Sequence, residues 1–159
     1  MSEPGAAGVV AAARALGLSV EVVRHGPVGS LREAAAARGV EPHRLVKSMV
    51  VRVAEGDHRF VLVPGDREIA WPKLRALLGV NRLTMASAEE ARRVTGYERG
   101  TITPLGSATA LPVVADASIA GRISLGAGEH GAGLTVDADD LVTALGAQVA
   151  DVTEVARPR

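Results

Sequence analysis

The sequence predicts an α+β (mixed α/β) domain, and three observations carry this. Segments rich in β-branched residues alternate with segments of helical period along the chain. Two β-rich runs, 46–53 and 58–63, flank Glu55-Gly56-Asp57, which has the composition of a hairpin turn. That hairpin is antiparallel, so the sheet is not built wholly from parallel strand–helix–strand units.

The elements follow in order. Residues 5–17 read as a helix, with Val9, Val10, Ala13 and Leu16 near helical spacing. Residues 20–24 read as a short strand, and Gly26-Pro27-Val28-Gly29 as a turn. Ser30 with Glu33 three residues on is a capping box, opening a helix that Gly39 closes. After the hairpin, Pro64-Gly65-Asp66 is a turn rather than a domain boundary. Pro72 suits the first turn of a helix that runs through Leu78 and stops at Gly79. Residues 82–85 form a candidate strand. Ser87 and Glu90 make a second capping box before a helix ending at Gly96. Residues 97–111 form a Gly/Pro/Thr-rich loop. Strands are expected at 112–115, 122–125, 134–136 and 148–152, with a helix over 137–145.

With 159 residues the chain suits a single domain, 1–159. Hydrophobic residues at 47% and charged ones at 23% are those of an ordinary globular protein. Aromatics are only 2%, so Phe60, Trp71 and Tyr97 cannot build the stacking platform of many single-strand binders. There are no cysteines, which excludes a disulfide scaffold, a zinc–thiolate site and a cysteine nucleophile. The start, Met1 to Ala7, lacks the basic and apolar runs of a signal peptide, and no apolar stretch has membrane-spanning length, so a cytoplasmic location is expected. Net charge is zero, which argues against broad coating of nucleic acid but leaves room for one basic patch. Of 18 basic residues only Lys47 and Lys73 are lysine.

Lys47 is the first candidate for chemistry. Strand alternation sets Val46, Ser48 and Val50 on one face and Lys47, Met49 and Val51 on the other. A cation on an apolar face is costly if buried alone. It either lines a pocket, ready for phosphate or a developing oxyanion, or lays its stem on apolar surface with its head in water. The run from Thr95 to Gly106 is the second candidate. Its glycines, proline and threonines imply special backbone geometry, whose free N–H groups can bind an oxyanion; the bland reading is a crossover loop. Residues 126–131 match G-x-G-x-x-G, but a turn and strand are expected next rather than the helix a dinucleotide site needs. His25, His43, His58 and His130 form no H-x-x-x-H pair, so no metal site is expected. His43 and His58 read as surface residues, and His25 as a turn residue able to face a pocket. Acidic residues at 137, 139 and 140 read as the first turn of a helix.

Taken together, these features resemble the YbaK family of aminoacyl-tRNA deacylases, related to the editing domain of bacterial prolyl-tRNA synthetases. The similarity is carried by His25 near a proline, Val46-Lys47-Ser48 and Leu62-Val63-Pro64-Gly65-Asp66. It continues through Thr95-Gly96-Tyr97, the run from Gly100 to Gly106, Leu111-Pro112, Asp116-Ala117, and the late Gly128, Gly131 and Asp140-Leu141. It implies a barrel-like mixed sheet flanked by helices, and hydrolysis of mischarged aminoacyl-tRNA with no cofactor. Lys47 carries over as the family's active lysine. Gly100 and Pro104 fall on its G-x-x-x-P loop, which cradles the aminoacyl group, so Gly100 is catalytic while Tyr97, Thr101, Ile102, Thr103, Pro104 and His25 contact substrate. Asp116 matches an aspartate near the pocket. The branch that clears cysteine from proline tRNA has a second glycine and a serine where Thr101 and Thr103 stand here, and the added methyls are expected to narrow the pocket. His130 resembles a loop histidine of the alanine-clearing branch.

The implied partner is the aminoacylated 3′ end of tRNA, with prolyl-tRNA synthetase as a possible second one, and the length implies action in trans. Arg32, Arg44, Arg92, Arg93, Arg99 and Arg122 are candidate phosphate contacts. Two other readings stay open: a non-catalytic module of the same fold that binds aminoacyl-tRNA or a synthetase, and a nucleotide-dependent oxidoreductase.

Overall fold

The computed structural model describes residues 5–157; part of the N-terminal segment read above lies outside them. Helix α1 spans Gly5–Ala15, and strand β1 spans Glu21–Arg24. Helix α2, Leu31–Ala37, opens on Ser30, whose hydroxyl accepts from the Glu33 N–H at 3.1 Å. The Glu33 carboxylate turns back to the Gly29 N–H at 2.6 Å, one residue earlier than the reciprocal bond of a standard capping box. The hairpin is β2, Val46–Ala54, and β3, Asp57–Pro64. Then follow β4 (Arg67–Ile69), α3 (Trp71–Leu78), β5 (Thr84–Met85), α4 (Ala88–Thr95), β6 (Val113–Asp116), β7 (Arg122–Gly126), β8 (Ala132–Asp137), α5 (Ala138–Leu145), β9 (Gln148–Ala150) and β10 (Thr153–Val155).

The strands form three sheets in the orders β5-β2-β3-β6-β9, β1-β8-β7 and β10-β4. The large sheet is mixed: β2 pairs antiparallel with β3 and β5, while β3–β6 and β6–β9 are parallel. Alternation gives it two apolar faces. Val46, Val50, Phe60, Leu62, Val113 and Ala115 face a core shared with Ile123, Leu125, Leu134 and Val136 of the second sheet and with Val9 and Leu141 of the helices. Val51, Val61, Val63 and Val114 face a smaller core closed by Leu74 of α3 and Val152. Among the described residues the sheets do not close into a barrel. They meet at one parallel bridge, Leu45 to Ser124, just before β2 begins.

β4 and β10 were not expected from sequence, and they pair with each other across most of the chain. His58 differs from the surface role expected of it. It is 7% exposed, and its Nε2 lies 2.8 Å from Glu90 Oε2, because α4 packs over the hairpin and covers it. Among the described residues no helix is long and apolar enough to cross a membrane.

Candidate functional site

The site follows from how β2 loses its neighbours. β5 reaches β2 only at Val51 and Arg52, with the Ala86 N–H closing on the Val50 carbonyl at 3.0 Å. In a strand, residues two apart send their backbone groups to the same edge. Ser48 therefore presents its N–H and C=O to an edge that no strand pairs there among the described residues. Along this edge lies a cleft of about 1060 Å³. Because it runs along an edge, residues from both faces of β2, Val46 through Val50, line it. Leu31, Ala34 and Arg38 of the α2 region also line it, as do Met85 and Ser87.

Gly100, Ile102, Gly126, His130 and Gly131 line the same cleft. Gly100 has φ 89° in a turn closed by the Thr101 N–H to the Glu98 carbonyl at 3.0 Å, a conformation that disfavours any side chain. The loop is held from several directions. Tyr97 Oη donates to the Leu105 carbonyl at 2.6 Å, Thr101 Oγ1 to the Glu98 carbonyl at 2.7 Å, and the Gly128 N–H to the Thr101 carbonyl at 3.0 Å. Gly126 lets the loop lie directly on β7: a Cβ there would sit 2.9 Å from the Thr101 oxygen and closer still to that of Ile102. The glycines of 126–131 thus serve loop packing, and β8 rather than a helix follows them.

Lys47 is half-buried, on the Met49 and Val51 face, and its Nζ donates to the Arg67 carbonyl at 2.7 Å. Burial lowers its pKa from the ordinary 10.5, and the Glu68 and Asp66 carboxylates partly oppose that shift. One of its three N–H groups is used, which leaves two for a ligand. The Ser48 hydroxyl is buried and unpartnered among the described residues, an expensive state for a polar group unless a ligand satisfies it.

Of the residues singled out from sequence, His25, Lys47, Arg99, Gly100, Ile102 and His130 line this cleft together. Tyr97, Thr101, Thr103, Pro104 and Asp116 do not. Tyr97 is a loop brace, and burial raises its pKa. Thr101 and Thr103 are 2% and 0% exposed, with hydroxyls bonded inside the loop, so their methyls do not narrow the cleft as expected. Asp116 accepts from the Val152 N–H at 3.0 Å and from the N–H and hydroxyl of Ser118. Burial pushes its carboxyl up, but those hydrogen bonds outweigh this and hold it below its usual range. Arg38 was missed; as one arginine among 16, at the C-cap of a helix, it carried no distinguishing sequence signal.

A family model for the aminoacyl-tRNA editing domain matches residues 25–144. The proline–tRNA ligase of Bacillus licheniformis is 34% identical over 103 residues, 65% of this chain and 18% of the ligase. That of Thermosipho melanesiensis is 37% identical over 99 residues, 62% of this chain and 17% of the ligase. The chain thus spans less than a fifth of the length of these relatives. A solved structure proposed as a trans-editing enzyme for prolyl tRNA synthetase superposes with TM-score 0.87 and 31% identity, covering 97% of this chain and 99% of that one.

Proposed function

The chain belongs to the aminoacyl-tRNA editing domain family, and from that premise we propose that it is a trans-acting deacylase that hydrolyses the ester of mischarged tRNA. The finer reading is a small amino acid on tRNA(Pro), cysteine first. Support comes from the ligase relatives, and from one observation above all. The half-buried Lys47 and the Gly100–Ile102 bend line the same cleft, which is large enough for a terminal nucleoside and its aminoacyl group.

The ester is already activated, so catalysis needs positioning and charge stabilisation more than a strong nucleophile. In this reading water adds to the ester carbonyl carbon, and the carbonyl oxygen becomes an oxyanion. The two remaining Lys47 N–H groups and backbone N–H groups near Gly100 stabilise it. Collapse breaks the bond to the ribose oxygen, which keeps the electron pair and takes up the proton released by water. The vicinal ribose hydroxyl relays that proton, so the protein supplies no base. Products are the free amino acid and tRNA with an intact 3′ end. A small pocket separates side chains differing by one methylene only about 10- to 200-fold by binding, which is the chemical reason for a separate hydrolytic step.

A panel of tRNA(Pro) charged with cysteine, alanine, serine or proline tests this. Faster loss of the cysteinyl or alanyl ester than of the prolyl ester is expected. Binding of these tRNAs with no ester loss would instead identify a non-catalytic module.

A further inference from the structure

The cleft holds a second partly buried cation. Arg38, at the C-terminal end of α2, sends its Nε–H to His25 Nε2 at 3.3 Å, while His25 Nδ1 lies 2.8 Å from the Gly26 carbonyl. Both contacts are satisfied together when Nδ1 carries the proton and Nε2 offers its lone pair. The guanidinium lies across β8 at Gly133, where a Cβ would stand 2.6 Å from Nε, so any larger residue there would push the arginine from its present place. Among the described residues no carboxylate pairs with it. Burial lowers its pKa with no acid opposing the shift. One of its five N–H groups is occupied by a side-chain partner. Desolvating a guanidinium without an acid is costly unless an anion arrives.

Arg38 lines two cavities at once. One is the reaction cleft. The other is a groove of about 680 Å³ along the outer side of β1, α2 and β7. That groove carries Arg44, whose guanidinium rests against Gly121, and Arg122, which pairs with Glu21 at 2.9 Å with both side chains exposed. Exposed pairs of this kind are weak and exchange readily for another anion. Glu21 and Glu41 are the acids facing the groove, against the three arginines. The unpaired cation thus stands at the junction between the place where an ester would react and a channel leading away from it.

Building on the deacylase reading, we infer that Arg38 binds a backbone phosphate beside the 3′-terminal nucleoside, and that the Arg44–Arg122 groove takes the strand leading to it. An arginine fork suits a phosphodiester because two parallel N–H···O bonds fix its orientation as well as its position. The substrate is thereby registered, with the terminal ester delivered to the Lys47 side of the cleft. Arg38 acts on binding and positioning, while Lys47 faces the ester.

The test compares cysteinyl or alanyl esters of the trinucleotide CCA with the same esters of adenosine, which lacks the phosphate. Wild type is expected to prefer the trinucleotide by about tenfold in kcat/KM, mostly through KM, as one charge-assisted contact implies. In Arg38→Gln that preference collapses to within about twofold, and Arg38→Lys restores part of it. Unchanged melting temperatures separate this from a folding defect. On full-length tRNA, Arg44→Gln with Arg122→Gln reduces the slope of log KM against log salt by about 1.4, the single-strand value for two phosphate contacts. An undiminished preference in Arg38→Gln, or none in an active wild type, overturns the assignment. A wild type inactive on every ester overturns the deacylase reading beneath it.

Discussion

Replacing Gly126 by alanine tests whether the bend at 100–104 is fixed by its seat on β7. The added Cβ would stand 2.9 Å from the Thr101 oxygen, where ordinary contact begins at 3.4 Å, and it would press harder on the Ile102 carbonyl. The loop backbone must recede by at least about 0.5 Å, since the opposing atoms are backbone and cannot rotate aside. Overpacking of this kind costs about 1–3 kcal/mol. In a chain of this size that lowers Tm by roughly 2–12 °C. The effect on reaction should be larger than the effect on stability. A shift approaching 1 Å in a positioning element costs about 100-fold in rate. Single-turnover deacylation with thermal melting on the same preparation measures both. Full activity in a folded Gly126→Ala protein would show that the bend does not hold the reacting group.

Other outcomes follow from the same geometry. Ile102→Ala removes apolar bulk from the cleft wall and should shift preference toward larger aminoacyl esters by about tenfold or more, read from kcat/KM ratios. Thr101→Gly with Thr103→Ser should leave that ratio unchanged while lowering Tm, because neither side chain lines the cleft and both are buried. Burial lowers the Lys47 pKa, so if the ammonium form works, kcat should fall with rising pH through a midpoint below 10.5. Lys47→Arg should move or abolish that limb. The same shift affects stability: the folded state releases this proton first, so the group's contribution to stability rises with pH between the lowered value and 10.5. His58→Ala should lower Tm, because it strips Glu90 of the partner tying α4 to the hairpin; kcat on adenosine esters should not change, and a matching fall would link this pair to the site.

Local chemistry was readable from sequence where one short segment decides it. Ser30 and Ser87 each accept from the N–H three residues on, Gly79 and Gly96 end their helices in the left-handed conformation, and Glu55-Gly56-Asp57 turns the hairpin. The order of loop glycines around Gly100 was readable in the same way, and it led to the family. Long-range closure was not readable. β4 and β10 are three residues each, and their register joins Ile69 to Thr153, a pairing no local pattern announces. His58 reads as exposed until α4 folds over it. Thr101 and Thr103 sit in a pocket-forming motif yet turn inward, because a loop's facing is set by what it packs on, here Gly126 and Gly128. Arg38 gains meaning only when the ends of α2, β1 and β8 converge on it.

The central claim is that the Lys47 amine stabilises charge at an ester carbonyl held against the Gly100 bend. Single-turnover hydrolysis of Cys-tRNA(Pro) by wild type and Lys47→Ala, with both proteins shown to be folded, addresses it most directly. A loss of about 100-fold or more in the rate constant, the usual effect of deleting one such donor, is the predicted result. A folded Lys47→Ala protein that clears the ester at the wild-type rate would contradict the account.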